Sequence, residues 1–279
     1  FFFQAEDGIR DRSPARGLGD VYKRQAYDIL PDELKEWVCG KCYSEPCKCK
    51  KLKEENMNVQ SVLNKDLQEL DDVFDKNGFE LRIVGGAVRD IALGKTPKDV
   101  DLATDATPNE MERIFDSSGI KHKPTGIEHG TITAIMNGVP YEVTTLRADV
   151  ETDGRRAEVK FVRSWEEDAK RRDLTYNAMS MDFDGNLYDY HGGMDDLQAK
   201  VTKFVGDPAE RIKEDYLRIL RYFRFQGRLN NPSFDKATVD AIAKNKEGLR
   251  QVSVERVWQE MSKILSGSNV AKVLGTMNS

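Results

Sequence analysis

Apolar residues first recur at helical spacing in Val62, Leu63, Leu67, Leu70, Val73 and Phe74, which share one side of a 3.6-residue period. The rhythm then shortens. Leu81–Val84 and Val100–Ala103 are runs of strand length, and Thr131–Met136 and Val139–Leu146 are two more. The last two flank Asn137-Gly138, a dipeptide that readily takes the positive φ values of a tight hairpin. Between strands, a short helix is expected over Ala87–Leu93. Another opens at Pro108, because a first-turn proline gives up no hydrogen bond. Asp184-Gly185 marks a further turn, and beyond it the pattern is mostly helical. The expected fold class is therefore α/β followed by all-α. A mixed sheet with flanking helices precedes a helical part, and no internal repeat interrupts it.

Two segments precede this body. Residues 1–25 show no sustained period and resemble translated sequencing-adapter read-through, so they are set aside as an adapter-derived or disordered segment. Residues 26–57 hold all four cysteines, Cys39, Cys42, Cys47 and Cys49, followed by a Lys/Glu-rich run. In a reducing compartment such a cluster favours structural zinc over disulfides, with Gly40 and Pro46 available for turns. The Cys-x-Cys second pair is tighter than usual, and four reduced thiols on an arm are the alternative. The remaining boundaries are drawn at 58–198 for the α/β part and 199–279 for the helical part.

Composition narrows the class. The chain has 279 residues, 39% apolar and 33% charged, which is globular rather than disordered. No apolar run approaches the ~20 residues of a membrane helix, so a cytoplasmic protein without a membrane partner is expected. The formal net charge is −5, which does not advertise nucleic-acid binding. Locally the balance reverses: Lys200, Lys203, Arg211, Lys213, Arg218, Arg221, Arg224 and Arg228 are opposed only by Asp207, Glu210, Glu214 and Asp215. Phosphates are felt within a Debye length of ~8–10 Å, so the local patch matters more than the total.

The chemistry concentrates in Gly85-Gly86-Ala87-Val88-Arg89-Asp90 and Asp99-Val100-Asp101. Two glycines between strand and helix let backbone approach a ligand, and the helix start offers N–H groups to phosphate. Asp99 and Asp101, two apart on an expected strand, project from one face and invite a divalent cation. Glu142, on another strand, supplies a candidate third carboxylate. Three acidic ligands beside a phosphate-binding turn describe a nucleotidyl-transfer site.

These motifs, with Glu142-Val-Thr-Thr-Leu-Arg147, Arg171-Arg-Asp-Leu-Thr-Tyr-Asn177, Gly192-Gly-Met-Asp-Asp-Leu197 and Glu214-Asp-Tyr-Leu-Arg218, resemble the class II CCA-adding and bacterial poly(A) polymerase family, in family order over roughly Val59 to Leu265. The resemblance implies a polymerase-beta-like nucleotidyltransferase head, then a helical neck and the start of a helical body. It implies CCA addition to the tRNA 3′ end from CTP and ATP, with Asp99 and Asp101 holding Mg²⁺. Gly85, Gly86 and Arg89 would face the triphosphate; Arg171, Arg172, Asp173 and Asn177 would handle ribose and phosphates, Asp173 accepting from a 2′-hydroxyl. Arg221 would join the nucleotide-binding set, and Asp189, Gly192 and Gly193 would form a hinge.

One helix carrying Ile212, Tyr216, Ile219 and Phe223 as its apolar stripe would place Asp215, Arg218 and Tyr222 along one margin. A carboxylate accepts from an exocyclic amine and a guanidinium donates to a ring nitrogen. Cytosine and adenine fit that pair; uracil and guanine present the reverse. The alternatives are poly(A) synthesis, CC-only or A-only addition, or a non-catalytic RNA-binding relic. Lys123–Thr131 resembles the CCA-adding branch, and intact Asp99 and Asp101 argue against a relic. The apolar pattern of Val270, Val273, Leu274 and Met277 near the last residue suggests an incomplete copy of a longer chain.

Overall fold

The strand Leu81–Val84 (β1) is buried along its whole length, and the sheet grows outward on both sides of it. In chain order the others are β2 (Leu102–Thr104), β3 (Lys121–Gly126), β4 (Thr131–Met136), β5 (Val139–Thr145), β6 (Arg147–Val150), β7 (Glu158–Phe161), β8 (Ser180–Met181) and β9 (Leu187–Tyr188). The structure, a computed structural model, describes residue 59 and residues 62–150, 158–229 and 232–278. The adapter-like segment and the four cysteines lie outside the described residues. Within them the main sheet runs β3-β4-β5-β2-β1-β8-β9, and β6 and β7 form a separate ribbon. The β2–β5 pair is parallel and its neighbours are antiparallel, so the sheet is mixed as expected.

Local chemistry fixes the early elements. Helix α1 (Lys65–Lys76) starts where the Asn64 side chain accepts from the Leu67 N–H, and it buries Leu67, Leu70 and Phe74. Helix α2 (Gly86–Ala92) follows β1 directly. Helix α3 (Pro108–Ser117) begins with Pro108 behind a reciprocal Thr107–Glu110 capping box. Phe74 and Phe115 meet edge to face at 5.7 Å, joining the two longer helices in the core. Asn137 and Gly138 take φ values of 49° and 86°, the two-residue hairpin turn that the sequence indicated.

Helices α4 (Trp165–Arg171) and α5 (Gly193–Gln198) complete the α/β part, and α6 (Pro208–Glu214), α7 (Leu217–Gln226), α8 (Lys236–Asn245), α9 (Val254–Leu265) and α10 (Val270–Met277) form the helical part. Helix α7 is its axis. It buries Tyr222, Phe223 and Phe225, and even Arg224 and Gln226. Gln226 Oε1 accepts from the Thr202 N–H at 2.5 Å and its Nε2 donates to the Lys200 carbonyl at 2.9 Å, tying the axis to the segment that leaves the sheet. Arg224 pairs with Glu260 of α9 at 3.0 Å, both nearly fully buried.

Three local expectations need correction. The strand expected over Val100–Ala103 begins only at Leu102, so Asp99 and Asp101 sit on the segment entering it. The stripe from Ile212 to Phe223 does not ride one helix: α6 ends at Glu214, Asp215 is extended at φ −154°, and α7 begins at Leu217. Asp215 accepts from the Leu217 N–H, a local bond that competes with helix continuation. Tyr222, expected along the same margin as Asp215 and Arg218, is fully buried. The segment Asp189–Gly193 is also tightly knit. Asp189 accepts from the N–H groups of His191, Gly193 and Met194, and Asp196 accepts from the Thr175 hydroxyl at 2.7 Å.

That corner generates a stability prediction. A Cβ on Gly193 would lie 2.4 Å from the Thr175 carbonyl oxygen, which is backbone and cannot rotate away. Gly193→Ala should destabilise by about 2–3 kcal/mol through overpacking. Gly275, inside α10 with open space around it, should do the opposite: Gly275→Ala should stabilise by roughly 0.5–1 kcal/mol. Urea unfolding of both variants checks the pair, and equal effects would contradict the packing.

Candidate active site

One cleft of about 550 Å³ takes residues from β1, β2 and β5 on one side and from the α6–α7 corner and α9 on the other. That size suits a small-molecule ligand. Its floor is the glycine turn. Gly85 has φ 65° and ψ −121°, a backbone conformation that side chains disfavour, and it caps α2. A Cβ there would stand 3.3 Å from Arg172 Nη1, so the turn and Arg172 are already in near contact. Gly86 lines the cleft beside it. Arg89 donates from Nη1 to Asn177 Oδ1 at 3.0 Å and from Nε and Nη2 to Asp90 Oδ1.

The arginine pair is held by a residue that sequence reasoning missed. Asp168 on α4 is buried and receives Arg171 Nε at 2.9 Å, Arg172 Nε at 3.0 Å and the Arg147 N–H at 3.2 Å. Burial alone would raise its carboxyl; Arg172 and Arg171 outweigh that and hold it below its ordinary value. The available signal was Asp168 standing three and four residues before two arginines on one helix. In the sequence this looks like any surface ion pair.

Asp173 and Asn177 line the same cleft. Asp173 Oδ1 accepts from the Leu174 N–H at 2.9 Å, and Oδ2 accepts from Arg221 Nε at 2.6 Å. Both oxygens expected for a ribose hydroxyl thus already have protein partners. Arg221 also lies 5.5 Å from the Phe225 ring, which Arg89, Arg224 and Arg228 approach at 5.0, 4.2 and 5.7 Å. Burial pushes Arg224 down to about 10, against the pull of Glu260.

The acidic residues separate into two groups. Asp101 lines the cleft, and its carbonyl accepts from the Val84 N–H, which fixes it beside the glycine turn. Its carboxyl is pushed above its ordinary value by desolvation; Arg172 pulls it down and neighbouring Asp99 pushes it up. Glu142 also lines the cleft, one residue before Val143 as Asp101 is one before Leu102 in the parallel pair. Among the described residues no group of three or more His, Cys, Asp or Glu side chains stands close enough to hold a metal ion. Glu142 thus stands in the cleft on the strand next to Asp101.

Asp215 and Arg218 face the cleft from the α6–α7 corner. They are not paired with each other. Asp215 Oδ2 accepts from Arg256 Nη2 at 2.9 Å, while Arg218 pairs with Glu214 and donates to the Arg211 carbonyl. In all, eight arginines and five carboxylates line the cleft, an excess of positive charge suited to a polyanion.

Comparisons with known proteins follow the same division. Residues 81–203 match the poly A polymerase head domain, and residues 233–278 match the probable RNA and SrmB-binding site of polymerase A. The chain is 51% identical over 222 residues to the mitochondrial CCA tRNA nucleotidyltransferase 1 of Mus musculus, covering 78% of this chain and 51% of that protein. It is 44% identical over 201 residues to the CCA-adding enzyme of Bacillus licheniformis, covering 71% and 49% respectively. The crystal structure of the Bacillus stearothermophilus CCA-adding enzyme in complex with CTP superposes with a TM-score of 0.68 at 37% identity, over 77% of this chain and 52% of that one. The chain thus spans about half the length of the relatives it matches.

The Asp168 cluster gives a pH-dependent prediction. A depressed carboxylate contributes stability that is present above its unfolded value of about 3.9 and is lost as pH falls through the lower folded value. Asp168→Asn should cost roughly 3 kcal/mol at neutral pH, because two guanidiniums lose their buried counter-charge. Its unfolding free energy should also vary less with pH below about 4 than that of the parent. Denaturation across that range checks both statements.

Proposed function

By its head and neck this chain belongs to the family of CCA-adding enzymes and poly(A) polymerases, and from that premise we propose that it is a template-independent nucleotidyltransferase adding CCA to tRNA 3′ ends from CTP and ATP. The observation that carries the proposal is one cleft joining a glycine turn, an arginine array and Asp101 to the facing pair Asp215 and Arg218. The named relatives are CCA-adding enzymes, which favours CCA addition over poly(A) synthesis and over a non-catalytic relic.

The residues divide the labour. The Gly85 turn and the start of α2 receive phosphate through backbone N–H groups, and Arg171 and Arg172, aimed by Asp168, neutralise its charge. Asp99 and Asp101 supply hard oxygen ligands; with phosphate oxygens and water these make the donor set that suits Mg²⁺. Mg²⁺, when bound, stabilises charge on the transferring phosphoryl group and the leaving pyrophosphate. The tRNA 3′-hydroxyl attacks the α-phosphorus and gives up its proton to water, a P–O bond forms to the primer, and the bond to pyrophosphate breaks. Asp215 accepts from the exocyclic amine of cytosine or adenine and Arg218 donates to the ring nitrogen. Arg221, bound to Asp173, lies between the phosphate and base sides.

Two further elements belong to this reading. The cysteines Cys39, Cys42, Cys47 and Cys49 are proposed from their spacing as a structural zinc site, expected to give one zinc per chain by elemental analysis. A cytoplasmic setting is proposed as well. Among the described residues no helix is long and apolar enough to cross a membrane, and the mouse relative is described as mitochondrial.

Asp99→Ala and Asp101→Ala should each abolish incorporation of labelled CTP on tRNA ending at the discriminator base, with the thermal unfolding profile retained. Asp215→Ala and Arg218→Ala should instead narrow the preference for CTP and ATP over UTP and GTP, mainly by slowing the correct nucleotides. Each mismatched buried polar group is worth about 1–3 kcal/mol. Retained Mg²⁺-dependent incorporation in the Asp99 and Asp101 variants would remove the metal assignment.

A further inference from the structure

The corner that carries Asp215 is held from outside by the segment matched to an RNA-binding region. Two contacts do this, and they come from different elements of that segment. Arg256, in the first turn of α9, reaches across 41 residues to donate from Nη2 to Asp215 Oδ2 at 2.9 Å. The second contact is steric. Gly248, in the 3-10 turn Lys246–Gln251, is buried against Tyr216, the residue between Asp215 and α7. A Cβ on Gly248 would lie 2.0 Å from a Tyr216 ring carbon, closer than any real contact. Only a glycine lets the turn press this far onto the corner.

Asp215 needs such support because its backbone has left the helix. It is extended at φ −154°; its carbonyl accepts from the Arg218 N–H at 2.9 Å, and the local bond of its carboxylate is Oδ1 accepting from the Leu217 N–H at 3.1 Å. A carboxylate on a corner keeps rotamer freedom that one on a helix interior lacks. Arg256 fixes the second oxygen. The remaining lone pairs then point in a set direction, and a hydrogen-bond site discriminates only when its acceptor is so fixed. As a solvent-facing ion pair, Arg256–Asp215 contributes little to stability.

We propose that Arg256 and Gly248 are positioning residues for base selection, tethering and pressing the Asp215–Tyr216 corner so that Asp215 and Arg218 present a fixed pattern to the incoming base. This rests on the proposed function. It assigns to the 233–278 segment a part in choosing the nucleotide, beyond the RNA binding in its family description.

The test is equilibrium binding of CTP and of UTP to the full 279-residue chain, by competition with a fluorescent CTP analogue, in parent and variants. The parent should prefer CTP. Arg256→Ala should cut the CTP:UTP ratio about tenfold by weakening CTP, the equivalent of ~1.4 kcal/mol. Arg256→Lys, which keeps one N–H donor and the charge, should retain most of the preference. Gly248→Ala should move the ratio in the same direction, and Arg250→Ala, a solvent-facing arginine of the same segment paired with Glu247, should leave it unchanged. If Gly248→Ala does not fold, the Arg256 series decides alone. A parent that prefers CTP with an Arg256→Ala variant of unchanged ratio overturns this inference and leaves the proposed function standing. Equal weakening of both nucleotides also overturns it, since that is loss of charge rather than of aim. A parent without preference removes the base-reading role of Asp215 and Arg218, and this inference with it.

Discussion

Guanidinium groups gathered into one cleft repel one another, and everything else in the site depends on how Asp168 contains that repulsion. Its two oxygens face Arg171 and Arg172 and take the Arg147 N–H as well. The carboxylate is buried, so the attraction is poorly screened and outweighs the cost of desolvating it. Arg172 is thereby laid against Gly85, where a side chain larger than glycine's would crowd it. A close approach of Arg172 to the glycine turn and two aimed cations follow from one aspartate on a seven-residue helix.

Phe225 plays the complementary part on the helical side. Four guanidiniums approach its ring within the range at which cation–π attraction operates, and they belong to Arg89, Arg221, Arg224 and Arg228. Three come from α7's own neighbourhood and one from α2, so the ring joins the two halves of the cleft through charge as well as packing. The basic patch seen along residues 200–228 is correspondingly not a free electrostatic surface. Arg211, Arg218, Arg221 and Arg224 each have a carboxylate partner. Charge that reads in the sequence as RNA affinity is in large part spent on internal order.

What could be read from the sequence was local. The Asn137-Gly138 hairpin, the Thr107-Pro108 helix start and the glycine turn before α2 each depend on a few adjacent residues, and the structure has all three. The failures came where apolar period and chain path disagree. Ile212, Ile219 and Phe223 pack into one core, so their spacing reads as one helix, although the chain turns a corner at Asp215. Val100 made the strand look as if it began two residues earlier than it does. Asp168 went unseen because its meaning lies in burial, which spacing does not report. Arg256 and Gly248 were further out of reach, since each meets its partner across more than thirty residues.

The broken helix has a consequence for how the two halves of the cleft communicate. An unbroken helix from Ile212 to Phe223 would carry Asp215 and Arg218 as rigidly as its own core contacts. At a corner, the direction of Asp215 is set by partners from α7 and α9, while Arg218 is set by Glu214 and the end of α6. The phosphate side is linked to the same helix by Arg221, whose bond to Asp173 at 2.6 Å crosses from α7 to the loop after α4. A shift of α7 therefore cannot move the corner that carries Asp215 and Arg218 without pulling on the residues beside the arginine pair. The two sides of the cleft are thus joined through ion pairs rather than through continuous backbone.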